Sequence, residues 1–268
     1  MTVPTSAVVP VSLPGPVASA VWRTATIVAR TQETVSAVTL ELDVPGWPGA
    51  RAGQHVDVRL TAEDGYTAQR SYSLASPGGG GERIALTVQL VPDGEVSAYL
   101  AGGDDLGGAL VGDQIELRGP IGGWFTWEPA APDPVQLVAG GSGLVPLMSM
   151  LRTRALSGST VPFRLLVSVR APADELYGAE LDALAAAPDG PRITRVWTRS
   201  APPGWTGPVG RLDAATVAAE TIAPTQRPTV FVCGPTGFVE AVADALVAAG
   251  HDPADVRTER FGASGAAR

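Results

Sequence analysis

Three short stretches of this chain carry side chains whose types and spacing suit the binding of a phosphorylated aromatic group. The first is Arg70-Ser71-Tyr72-Ser73-Leu74-Ala75-Ser76. Successive side chains of an extended strand point to opposite faces, so Arg70 and Tyr72 share one face and Ser71 and Ser73 the other. A guanidinium can clamp a pyrophosphate bidentately, an aromatic two residues on can lie against a planar ring system, and a neighbouring hydroxyl can hydrogen-bond a ring nitrogen. A flavin nucleotide presents all three needs.

The second stretch, Gly140-Gly141-Ser142-Gly143-Leu144-Val145-Pro146, follows an apolar run and opens a helical pattern. Its glycines let a dinucleotide pyrophosphate approach the backbone where a helix begins, and Pro146 suits a helix's first turn. Read alone, such a turn serves tight packing equally well. The third, Cys233-Gly234-Pro235, ends the apolar run Val230-Phe231-Val232. A buried thiol there is usually a small hydrophobe, although this is also where a nicotinamide must arrive. Two weaker signals accompany these. Gly94-Glu95-Val96-Ser97 reads as a tight turn opening a short helix, whose unpaired N–H groups suit a phosphate as well as a plain cap. Glu259-Arg260-Phe261-Gly262 places an acid and an aromatic two residues apart near the end of the chain.

The elements that must hold these residues follow two rhythms. From Trp22 to about Leu117 the pattern is short strands and turns: Thr34 to Val44, His55 to Leu60, Arg70 to Leu74, Ile84 to Val91 and Gln114 to Arg118, which together suggest an antiparallel β-barrel. His55 is expected to be structural. Glu128 to Pro134 then packs three prolines into seven residues, a domain boundary. Beyond it strands alternate with helices, giving an α/β doubly wound parallel sheet that binds nucleotides at its carboxyl edge. The expected strands are Val135–Ala139, Phe163–Val169, Ile193–Thr198, Thr229–Cys233 and Val256–Glu259. The expected helices are Leu144–Leu156, Leu176–Ala187, Ala214–Glu220 after an Asp213 N-cap, and Gly237–Ala249. The domains are therefore 20–128 and 135–262, with a mobile N-terminal tail over 1–19 and a C-terminal tail over 263–268.

Composition narrows the function. The net charge of −8 argues against a nucleic-acid partner and suits a basic one. One cysteine, Cys233, excludes an internal disulfide and a plant-type iron-sulfur cluster, which needs four thiolates. Two histidines and no Cys/His ligand spacing leave no metal site. No apolar run is long enough to span a bilayer, and the first 20 residues hold four prolines and no cation. The expected location is cytoplasmic.

Taken in order, R-x-Y-S, G-x-V-S, G-G-S-G-L-V-P and C-G-P resemble the flavin and nucleotide signatures of the ferredoxin-NADP reductase superfamily over residues 20 to 262. The resemblance implies a flavoprotein that takes a hydride from NAD(P)H onto FAD, with FMN the alternative. Electrons would then pass to a separate acceptor protein, a ferredoxin or an oxygenase component. It assigns Arg70 to the flavin phosphate, Tyr72 to stacking on the flavin, Ser73 to the vicinity of flavin N5, and Gly94, Val96 and Ser97 to the pyrophosphate. Gly140, Gly141, Gly143 and Pro146 would cradle the dinucleotide, while Cys233, Gly234, Pro235, Glu259 and Phe261 would shape the nicotinamide pocket. Plant-type members stop at the aromatic; in the branch that supplies Rieske-type oxygenases a small-residue segment such as 262–268 leads into an iron-sulfur domain, so the chain is expected to be the reductase core of that branch. Arg170 and Arg199, at strand ends, are candidates for a 2′-phosphate or plain surface cations. Two alternatives use the same motifs: a reductase of free flavin or ferric chelates, and a non-catalytic flavin-binding regulatory subunit.

Overall fold

The computed structural model describes residues 21–103 and 107–262; the expected tails lie outside the described residues. Six antiparallel strands come first: β1 (Trp22–Thr34), β2 (Ala37–Asp43), β3 (His55–Thr61), β4 (Thr67–Ser73), β5 (Arg83–Gln89) and β6 (Gln114–Ile121). They hydrogen-bond in the order β4-β3-β6-β1-β2-β5. Period-two alternation builds the core: Val38, Leu40 and Leu42 of β2 and Leu86 and Val88 of β5 are buried on one face. The stretch expected as one strand from Thr34 to Val44 is divided, because the chain turns between Thr34 and Ala37 and leaves Val35 91% exposed. Threonine and valine suit strands and Ser36 is the one turn-favouring residue here, with no glycine, proline or asparagine beside it, so composition gave little sign of this turn.

The expected barrel is curled but not closed. Its edge strands β4 and β5 meet through a single bridge, Leu74 to Leu86, and helix α1 (Glu95–Ala101) packs against both. The inner face of an edge strand is thereby left open to a ligand instead of being sealed by a neighbour.

Five parallel strands with helices between them form the second unit: β7 (Val135–Gly140), α2 (Leu144–Ser157), β8 (Phe163–Val169), α3 (Gly178–Ala186), β9 (Arg192–Trp197), α4 (Ala214–Glu220), β10 (Thr229–Pro235), α5 (Thr236–Ala248) and β11 (Val256–Phe261). The order is β11-β10-β7-β8-β9. Every residue of β7 is buried, as expected for a strand covered on both faces. The chain runs outward from β7 to β8 and β9, then crosses back to β10, so the topological switch point lies between β7 and β10. Asp213 caps α4, its Oδ1 accepting from the Thr216 N–H at 2.8 Å. Among the described residues, no helix is long and apolar enough to cross a membrane.

Helix α2 joins the two units. Ser149 Oγ donates to the Ser76 carbonyl at 2.6 Å, Arg152 Nη1 to the Ala75 carbonyl at 2.7 Å, and Gly78 N–H to Thr153 Oγ1 at 2.8 Å. The apolar core is continuous across the junction, with Phe125 edge-on to Phe231 at 5.2 Å and Trp127 edge-on to Phe163 at 4.9 Å. The helix that follows the glycine turn thus fastens the segment that follows Arg70-Ser71-Tyr72-Ser73.

Candidate functional site

Strand pairing sets the faces of β4. Arg70 pairs with Val58 and Tyr72 with Val56, both buried, while Ser71 pairs with Asp57 and Ser73 with His55. Arg70 and Tyr72 therefore look toward the open seam of the barrel, and Ser71 and Ser73 look the other way. The Arg70 guanidinium is exposed and, among the described residues, bonds only the neighbouring Gln69 carbonyl, at 2.6 Å, which leaves donors for an anion. Tyr72 packs against the barrel core, and burial pushes its phenol up to about 12. Ser71 Oγ donates to Asp57 Oδ1 at 2.6 Å, and Arg118 Nη2 lies 2.9 Å from Asp57 Oδ2, a network that braces β4 from behind. The Ser73 hydroxyl has no hydrogen-bond partner among the described residues.

At the start of α1, Ser97 Oγ accepts from the Val91 N–H at 3.2 Å and donates to the Gly94 carbonyl at 3.1 Å. Val96 is buried in the barrel core. Both side chains are committed to the turn, so this segment has backbone N–H groups to offer a phosphate and nothing more. Gly94 is required sterically, since a Cβ there would lie 2.5 Å from Ser97 Oγ.

On the other unit, the strand ends at the switch point open into a cleft of about 630 Å³ lined by Gly140, Gly141, Ser142, Pro235, Phe238 and Phe261, among others. Gly141 has φ +54° and nothing within 4 Å of a built Cβ, so its freedom serves the backbone path and its open side faces space. Gly143 is tighter: a Cβ would fall 2.1 Å from the Cys233 carbonyl oxygen, which locks the glycine turn against the Cys233-Gly234 backbone. Gly234 is buried and Pro146 is buried within the first turn of α2. Arg170 lines the cleft with its Nη2 3.3 Å from Asp174 Oδ1; Arg199 is exposed and is not part of the lining, which Arg211 joins instead.

The two halves meet across the junction. Glu259 pairs with Cys233 in the β10–β11 ladder, and its Oε1 lies 3.5 Å from Nδ1 of His55, which stands beside Ser73 in the barrel. Glu259 Oε2 is buried and has no hydrogen-bond partner among the described residues. Burial, with the Glu259 carboxylate adding to it, holds the Cys233 thiol far above its usual range, so it is a neutral neighbour and not a nucleophile. Phe261 is 36% exposed at the same edge. His55, expected to have a structural or surface role, stands against Glu259; no local pattern could show a contact with a strand at the far end of the chain.

An exposed guanidinium beside a half-buried phenol at an open barrel seam, a glycine turn with free space at a sheet's switch point, and an unsatisfied carboxylate between them fit a flavin nucleotide and a nicotinamide dinucleotide. The comparisons decide the family. Residues 18–126 match the oxidoreductase FAD-binding domain and residues 137–244 the oxidoreductase NAD-binding domain. The chain belongs to the ferredoxin-NADP reductase superfamily. It is 32% identical over 239 residues to an NADPH oxidoreductase of Mycobacterium tuberculosis, covering 87% of this chain and 58% of that one. It is 31% identical over 216 residues to a glycine betaine monooxygenase reductase subunit of Chromohalobacter salexigens, covering 80% and 56%. The chain therefore spans a little over half the length of these relatives. Among solved structures it is similar to the FAD/NAD-binding domain of a nitric oxide dioxygenase from Vibrio cholerae, with a TM-score of 0.77, 25% identity, and coverage of 90% of this chain and 98% of that one. FAD and a nicotinamide dinucleotide are the cofactors of this family member.

Proposed function

We propose that this chain takes a hydride from NAD(P)H onto FAD and delivers electrons one at a time to a separate acceptor protein, a ferredoxin or an oxygenase component. Residues 20–128 hold the flavin and residues 135–262 receive the dinucleotide. The observation that carries this reading is the cross-domain contact of Glu259 with His55, because it brings Ser73 of the flavin side and Cys233 of the nucleotide side to one edge. Bound flavin supplies what side chains lack, the conversion of a two-electron donor into single electrons.

The chain's own residues bind, orient and shield. Arg70 neutralises the flavin phosphate, helped by the backbone N–H groups of Glu95, Val96 and Ser97. Tyr72 gives a flat apolar face, and the unpaired Ser73 hydroxyl is free to orient a ring nitrogen. Gly140, Gly141 and Gly143 admit the dinucleotide's pyrophosphate to the backbone at the start of α2, whose turn Pro146 fixes. Cys233, Gly234, Pro235 and Phe261 wall the nicotinamide position, and Glu259 with His55 closes its rim.

The test is an anaerobic titration of the flavin-loaded protein with NADH and NADPH in parallel, followed in the visible spectrum. Bleaching of the bound flavin is the expected result. A protein that takes up no flavin, or whose flavin stays oxidised with both nucleotides, refutes the reading. Reoxidation by a ferredoxin faster than by free flavin or ferric chelates then separates the acceptor-protein reading from the small-molecule one.

A further inference from the structure

Besides α2, the nucleotide unit grips the barrel through one residue in an uncommon backbone conformation. Tyr177 stands immediately before α3 with φ 57° and ψ 24°, the left-handed region that a bulky side chain adopts only where its surroundings fix it. Its ring is 6% exposed and carries the Arg152 guanidinium at 4.9 Å. Arg152 is held in turn by Glu180 at 2.6 Å and donates to the Ala75 carbonyl. The Tyr177 hydroxyl crosses to the barrel and bonds Thr87 Oγ1 on β5.

That bond begins a chain of hydroxyls with a single direction. Thr87 Oγ1 lies 2.7 Å from Thr39 Oγ1, and Thr39 Oγ1 donates to Glu33 Oε1 at 2.6 Å. A hydroxyl has one proton to give, so Thr39, whose own goes to the carboxylate, accepts from Thr87, and Thr87 accepts from Tyr177. Burial holds the phenol above its usual range, which keeps the donor protonated. Hydroxyls aligned this way strengthen one another, and the last of them ends on a charge.

The chain lies between the nucleotide cleft and the seam of the barrel. Asp174 and Leu176, just before Tyr177, line the cleft, and so do two barrel residues: Thr34, which follows Glu33, and Gln89, two residues beyond Thr87 on the same face of β5. On the other side Leu86, next to Thr87, bridges Leu74, and the Ala75 N–H donates to the Ala85 carbonyl at 2.8 Å, which ties β5 to the segment that follows Ser73. We infer that Tyr177 is a positioning residue for hydride transfer: the bond from its hydroxyl to Thr87 fixes the register of the nucleotide unit against β5 and so sets how closely a nicotinamide approaches the flavin. This rests on the reading that the two units hold NAD(P)H and FAD.

The experiment compares the wild type with Tyr177→Phe, which keeps the ring and its contact with Arg152, and with Thr87→Val, which removes the same bond from the barrel side. Stopped-flow reduction of the bound flavin, with NADH and NADPH in parallel, separates the limiting rate from the apparent dissociation constant; hydrogen exchange of the Ala75 amide, measured without nucleotide, reads the junction directly. Each variant should lower the limiting rate by about 10- to 100-fold while the dissociation constant stays within about threefold. The Ala75 amide should exchange about tenfold or more faster, as its junction with β5 opens more readily. The double variant should match the singles, since all three lack one bond. An unchanged limiting rate, a lowered rate with unchanged Ala75 exchange, or effects that add in the double variant overturn the positioning role and leave the hydride reading standing; either variant decides the point if the other does not fold. Wild-type flavin that neither nucleotide reduces overturns the hydride reading and this inference with it.

Discussion

Replacing Gly143 by alanine gives the sharpest test of how the two nucleotide-side motifs depend on each other. The added Cβ would stand 2.1 Å from the Cys233 carbonyl oxygen, 2.4 Å from its carbon and 2.7 Å from the Gly234 nitrogen, all backbone atoms that cannot rotate aside. Relief to ordinary contact near 3.5 Å requires the turn and the end of β10 to part by more than about 1 Å. Overpacking of this kind costs about 1–3 kcal/mol, which for a chain of this size lowers Tm by about 2–12 °C. The functional effect should be larger, since a displacement of about 1 Å at a reacting centre can cost on the order of a hundredfold in rate. The assays are a thermal melt and stopped-flow reduction of the bound flavin by NADPH. Gly141→Ala is the control: its φ of +54° strains an alanine, but nothing lies within 4 Å, so Cys233 should keep its place. A Gly143→Ala protein with wild-type Tm and wild-type reduction rate would refute the coupling.

Arg70→Ala removes the side chain assigned to the flavin phosphate and should weaken flavin binding about 10- to 100-fold, read by the free flavin released on gel filtration; unchanged retention would contradict the assignment. The Cys233 thiol, held up by burial, should resist iodoacetamide at pH 8 in the folded protein and react once it is unfolded. Because its folded value is raised, the stability it favours is present below its ordinary value of 9.0 and declines as pH rises above it, so the denaturation midpoint should fall above pH 9 in the wild type and less in Cys233→Ala. His251 behaves oppositely. Burial lowers it from 6.5 against a smaller opposing pull from Asp255, and its Nε2 has no partner among the described residues. Its stability contribution is therefore present above pH 6.5 and is lost as pH falls, so the acid-side loss of stability should begin near pH 6.5 and be smaller in His251→Asn. Glu259→Gln should slow reduction of the bound flavin while moving Tm by no more than a few degrees, since its contact with His55 is a partly exposed one at 3.5 Å; a collapsed Tm with an unchanged reduction rate would make its role structural.

Local chemistry in the sequence was enough to place the parts that are local in the fold. Strand Phe163–Val169 and helix Ala214–Glu220 with its Asp213 cap are where hydrophobic period and capping residues put them. The alternation of Arg70 and Tyr72 against Ser71 and Ser73 follows from the strand repeat alone and appears in the β3–β4 register. What eluded the sequence is set by pairings between distant segments. The incomplete barrel depends on how β5 and α1 approach β4, the contact of His55 with Glu259 joins the two units, and Arg211 reaches the cleft only because Val209 and Gly210 fold back on Trp197.

The glycines show why a motif and a site are different claims. A Cβ on Gly140 would lie 2.8 Å from the Phe238 ring, and one on Gly234 would lie 2.7 Å from it, so both are required by the packing of a single side chain that the sequence reading never singled out. Gly143 is required by backbone contact with Cys233. Of the glycines assigned to the dinucleotide, only Gly141 has open space where a side chain would be, and only there does the requirement for glycine come from conformation without a packing partner. The packed glycines close the switch point into a rigid floor; the open one faces the cleft above it. A rigid floor is what a nicotinamide site needs, because the hydride can be transferred only if the donor ring is held near contact and does not drift as the strands breathe. Phe238→Ala would separate these roles: it should loosen the floor and lower the rate of flavin reduction while leaving Gly141, and with it the pyrophosphate contact, in place.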